Sequence, residues 1–144
     1  MPAVAVLYLI FQPRLQLRTV DLLLFLLALP LAFLLRFFVE WAVALTAFWT
    51  TRTDAVSSVY FLLLLFLSGR IAPLDLLPEW AQRVASITPF RWAIAFPVEL
   101  LLGRLSLQQA WRGLAAQALW VLGGLLLVGV VWRRGVRRFA AVGS

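Results

Sequence analysis

The chain has 144 residues, 64% of them hydrophobic and 13% charged, with a mean hydropathy of +0.98 and a formal charge of +7. That balance excludes an ordinary soluble domain, which is near half apolar and a quarter charged. Leu-rich blocks of this length point instead to transmembrane helix, the open-chain structure that satisfies its own backbone in lipid. The absence of Cys and His removes disulfides, thiolate metal sites, the usual metal ligand and the usual general base. The six acids are scattered and no Gly-rich phosphate loop is present, so the chain has no ATPase chemistry of its own and no cofactor is expected on it.

All thirteen basic residues are Arg. Four of them, Arg133, Arg134, Arg137 and Arg138, directly follow an apolar helix, where basic segments hold a chain end on the cytoplasmic side. The charge is therefore read as topogenic, with a lipid bilayer and no nucleic acid as partner. The N-terminus lacks the basic region and cleavage site of a signal peptide.

In chain order, residues 3–11 form an apolar run of ~14 Å as helix, too short for a ~30 Å hydrocarbon core and read as the end of a cut helix. Asp21 then places negative charge at a helix start. Residues 22–49 stay apolar for ~42 Å, interrupted by Pro30, Arg36 and Glu40. This stretch is either one helix, kinked near Pro30 and tilted, or two segments breaking near Arg36. One helix is the reading adopted, because Arg36 and Glu40 are four apart and neutralise one another on one face. After the polar break Thr50-Thr51-Arg52-Thr53-Asp54, residues 55–68 span only ~21 Å.

Residues 69–78 are turn-rich, with Pro78 at the first helical position and Glu79 complementing the helix N-terminus. A helix over 78–87 is predicted, ended by Pro89. A second follows over 90–102, bent at Pro97 and closed by Gly103. Two short charged helices between spanning ones predict a re-entrant hairpin, tolerable at membrane depth where it packs against protein or lines a wet cavity. Ser106 and Gln109 form a capping box that starts a helix over 107–132, with Gln117 the one strongly polar residue in its last twenty. With the tail cytoplasmic, helix parity places the hairpin outside and Arg52 inside. The expected fold is all-α: a single polytopic transmembrane domain over 1–144 with a re-entrant outer helical hairpin before the last helix.

The run Ser68-Gly69-Arg70-Ile71-Ala72-Pro73-Leu74-Asp75-Leu76-Leu77-Pro78-Glu79-Trp80 leads into Thr88-Pro89-Phe90-Arg91-Trp92, Phe96-Pro97 and Leu101-Leu102-Gly103-Arg104. These motifs resemble the C-terminal half of ABC type-2 export permeases. Phe48-Trp49-Thr50 and Trp132-Arg133-Arg134-Gly135 are similar to a bacterial branch of that family. The resemblance covers residues 20–143. It implies a permease of about six helices, in which 3–11 is the end of helix three, 22–49 helix four, 55–68 helix five and 113–132 helix six. The first two helices and the connection after them have no counterpart here. It further implies export across the bacterial cytoplasmic membrane, driven by a separate ABC ATPase subunit that carries the ATP, and pairing with a second permease chain.

Arg36 and Glu40 then either line the transport path or permease interface, or form a neutralised structural pair. Glu99 either faces the path or is an interfacial charge. Thr51, Arg52, Thr53 and Asp54 either contact the ATPase or form a solvated turn. The alternative to a permease is a small integral membrane interaction or assembly protein without transport activity.

Overall fold

The structure, a computed structural model, describes residues 18–50 and 52–142, with side chains to Arg137. The run over 3–11 and Thr51 lie outside the described residues. Among those described are six α-helices: α1 Thr19–Ala44, α2 Thr53–Leu67, α3 Glu79–Ile87, α4 Pro89–Ala93, α5 Ala95–Leu101 and α6 Leu107–Val142. A 3₁₀ turn, Leu45–Phe48, prolongs α1, and another, Leu74–Leu76, lies before α3. The all-helical expectation holds among these residues.

Two segments are long and apolar enough to cross a bilayer, Thr19–Phe48 and Leu107–Arg137. The first is one element, not two: the chain passes Pro30 and Arg36 without leaving the helix. Asp21 sits at its third position and accepts a hydrogen bond from the Arg18 backbone N–H at 3.3 Å, where a carboxylate satisfies an orphan donor and meets the positive helix end. Helix α1 buries a narrow stripe, Asp21, Leu24, Ala28, Ala32 and Leu35. Leu23, Leu26, Phe33 and Phe37 stay exposed on its other faces, the pattern of a helix whose remaining surface is lipid-facing.

Helices α1 and α6 run in the same direction, because residue numbers rise together along their contacts. Gln117 reaches Ala28, while Phe38 lies over Gly124 and Phe48 over Gly135. Helix α2 is antiparallel to α1: Glu40 meets Tyr60, and Leu35 shares a small cavity with Leu64. Its 15 residues span ~22 Å, short of a full crossing.

Helices α3, α4 and α5 form a hairpin held between the longer ones. Phe96 and Leu100 on α5 join a core with Leu24, Ala28, Ala110 and Leu114. Phe90 and Ala85 join another with Leu64, Leu67 and Leu74. The hairpin turn at Pro89 and Phe90 lies beside Leu35, Arg36 and Val39, well along α1.

Three boundaries differ from the sequence reading. The second hairpin arm breaks at Ile94 (φ −128°, ψ −60°) instead of bending at Pro97. Pro97 is the third residue of α5, where its missing N–H leaves no intrahelical bond unmade. Pro78 precedes the first helical residue, Glu79, in extended conformation. The last helix runs past Trp132 to Val142, since the apolar run ends there but Arg, Ala and Val are compatible with continued helix in water.

The termini follow local chemistry. Gly103 has φ +63°, with Arg104 N–H donating to Glu99 O at 3.1 Å and Gly103 N–H to Leu100 O at 3.0 Å, the paired bonds of a Schellman cap. Ser106 N–H donates to Gln109 Oε1 at 2.8 Å and Gln109 N–H to Ser106 Oγ at 3.3 Å, completing the capping box.

Candidate functional site

Arg36 and Glu40 occupy successive turns of α1, so their side chains meet on one face. Arg36 Nε donates to Glu40 Oε1 at 2.7 Å. From α2, the Tyr60 hydroxyl donates to the same oxygen at 3.4 Å. The Tyr60 ring also lies 5.9 Å from that of Phe90 at the hairpin turn. The trio therefore joins α1, α2 and the hairpin at one level. Its ion pair is not sealed in: the Arg36 and Glu40 side chains are 46% and 44% exposed.

A cleft of about 720 Å³ opens between α1 and α2 from Glu40 and Tyr60. Glu40 and Tyr60 stand at one end, Asp54 at the other, with Ser57 and Ser58 between. The cleft brings together two residues singled out separately in the sequence, Glu40 and Asp54. Arg52 precedes α2, and its backbone N–H donates to Thr50 Oγ1 at 3.1 Å. Thr53 and Asp54 form the first turn of α2.

Glu99 belongs elsewhere. It pairs with Arg91 across the Ile94 break at 3.3 Å and lines a second cleft of about 420 Å³ with Asp75 and Arg104. Arg91 also lies over the Trp92 ring at 5.7 Å.

Two polar residues escaped the sequence reading of the site. Tyr60 was hidden in an apolar run. Gln117 was noted only as a lone polar residue, yet it is fully buried. Its Nε2 donates to Trp92 O at 2.8 Å and Ala28 O at 3.4 Å, tying α6 to the hairpin and to α1. A single amide within twenty apolar residues was the available signal, since such a group in a membrane helix needs a partner.

The sequence model of a family described as ABC-2 family transporter protein matches residues 1–143. No curated protein and no solved structure shows a significant match to the chain. The chain belongs to that ABC-2 transporter family, and with its apolar helices it is a membrane protein of the ABC transporter class.

Proposed function

From membership of the ABC-2 transporter family as premise, we propose that the chain is part of the membrane-spanning permease of an ABC exporter in the bacterial cytoplasmic membrane. A separate ATPase drives it and a second permease chain completes the path. The observation that carries the path assignment is the cleft between α1 and α2, whose polar lining runs from Asp54 through Ser57 and Ser58 to Glu40 and Tyr60, with Arg36 paired to Glu40 at that end. An intramembrane charge pair beside an open cleft is where a transport route is expected.

In this scheme the hairpin enters the membrane from the outer face without crossing, the tail from Arg133 onward is cytoplasmic, and the loop Thr51 to Asp54 meets the ATPase. Tyr60 links the two halves of the route: its hydroxyl holds Glu40 and its ring meets Phe90. A shift of α2 at the cytoplasmic turn therefore reaches the charge pair and the hairpin together. Loosening of the Arg36 and Tyr60 contacts frees Glu40 Oε1 for ions and polar solutes, which makes the trio a gate.

Co-expression with a candidate ABC ATPase subunit from the same source provides the test. The expected result is a detergent-stable complex, with Asp54→Arg reducing ATPase recovery and Tyr60→Phe leaving recovery intact while lowering export. A well-folded chain that retains no ATPase would support the small membrane interaction protein instead. Topology is read by single-Cys labelling, which the Cys-free sequence makes clean. An impermeant reagent in intact cells should label Ala72→Cys and spare Gly143→Cys, and the reverse pattern would overturn the orientation.

A further inference from the structure

At the end of the molecule away from the hairpin core, a cleft of about 430 Å³ runs alongside the contact that Phe48 makes with α6 at Trp132 and Gly135. Its walls are Ala42, Thr46 and Trp49 from one segment and Leu127, Val131 and Arg134 from the other. Leu127, Val131 and Arg134 follow i, i+4, i+7 spacing on one face of α6, and the segment holding Ala42, Thr46 and Trp49 runs parallel to it, so the cleft follows the α6 axis. It is apolar at Ala42 and Leu127 and ends at Arg134 and Trp49.

Arg134 is the one charged group in the lining. No carboxylate among the described residues pairs with it, nor with Arg133 or Arg137. No acidic residue occurs after Glu99 in the sequence. The Thr46 hydroxyl spends its proton on Val43 O at 2.6 Å. The groove thus offers hydrocarbon along its length and an uncompensated cation at its mouth, where Trp49 and Trp132 are both exposed. Exposed Trp beside Arg marks the level of lipid headgroups, and basic pockets between membrane helices take anionic headgroups.

We propose that this groove is a binding site for one anionic phospholipid, with an acyl chain laid between Ala42 and Leu127 and the phosphate on Arg134. A peptide segment is a poorer occupant, because the lining offers almost no partners for a backbone. The site is independent of the transport path, which lies on the other side of α1 between it and α2.

Native mass spectrometry of the delipidated full chain, titrated with phosphatidylglycerol or phosphatidylcholine in detergent, tests it. The expected result is one saturable phosphatidylglycerol adduct, with phosphatidylcholine at least tenfold weaker. Arg134→Gln should weaken phosphatidylglycerol at least tenfold, whereas Arg133→Gln, outside the lining, should cost about fivefold at most, the share of one surface Arg. Leu127→Trp fills the groove without changing charge and should also cost tenfold or more. Arg134→Lys should stay within about fivefold of the parent, which separates lost binding from lost folding.

Equal weakening by Arg133→Gln and Arg134→Gln, with no effect of Leu127→Trp, would show diffuse attraction and overturn the site. So would displacement of the lipid by inorganic phosphate at equal concentration. Disulfide formation by Leu127→Cys with its own copy, or with Leu7→Cys, would place protein in the groove and overturn it as well.

Discussion

The ring of Phe96 occupies the space in which a side chain at Gly113 would begin. Phe96 is 2% exposed and locked in the core with Leu24, Leu100 and Leu114, so it has nowhere to retreat. The relation repeats along α6. Gly124 receives Phe38, whose Cβ lies 2.9 Å from the position of an added methyl, and Gly135 receives Phe48. The three glycines are eleven residues apart, close to three full turns, which returns each to the same helix face.

Gly113→Ala should therefore destabilise the protein by about 1–3 kcal/mol, the usual cost of overpacking. Gly123 and Gly129 have nothing within 4 Å of an added Cβ. Their Ala variants should be neutral or gain up to ~1 kcal/mol of helix propensity. Thermal unfolding in detergent reads the difference. Similar shifts at Gly113 and Gly123 would mean that Phe96 does not pack where the structure places it.

Gln117 supplies the second prediction. Replacing it with Leu leaves the carbonyl of Trp92 without its side-chain donor at the break after α4. Interhelical hydrogen bonds in membrane proteins average ~0.6 kcal/mol and reach ~1.7 kcal/mol. Gln117→Leu should fall in that range, and faster hydrogen exchange should appear in α4 and α5 before α1. A uniform loss across all helices would instead indicate a packing defect at position 117.

What the sequence made legible was local. The capping box at Ser106, the closing Gly103 and the pair Arg36 with Glu40 each join residues three to five apart, so the pattern alone specifies the bond. Contacts between elements were not readable: Tyr60 is twenty residues from Glu40 and Gln117 is 89 from Ala28. The hairpin break shows the limit of a breaker rule. Pro97 was the obvious bend, yet at the third helical position it needs no donor, and the chain breaks at Ile94. The end of α6 was misplaced because hydropathy marks where an apolar run stops, and a helix in water can outlast it.

The ion pair between Arg91 and Glu99 spans the Ile94 break, with side chains 31% and 23% exposed. Buried Arg91 Nε has no acceptor, so the guanidinium depends on Glu99 for its charge partner. Glu99→Gln should destabilise by about 1–3 kcal/mol, since a partly buried cation is left with weaker acceptors. Adding Arg91→Gln to it should recover part of the loss. Chemical denaturation of the two variants measures this, and additive losses would show that the two side chains do not interact.

The pair Arg36 and Glu40 tests structure and function together. A lone Arg near the centre of a membrane helix carries roughly 2.5–3.5 kcal/mol of insertion cost. Each single change, Arg36→Leu or Glu40→Leu, should lower the folded yield, because removing one partner strands the other. The double change should recover much of that yield. Recovery will be partial, because the Tyr60 hydroxyl loses its acceptor on Glu40. Adding Tyr60→Phe to the double change should restore the remainder, and that triple variant isolates the functional question. If it folds and binds its ATPase but no longer supports export, the trio acts in transport. Full export by the triple variant would reduce the trio to a neutralised structural contact and remove the gate proposed for the cleft.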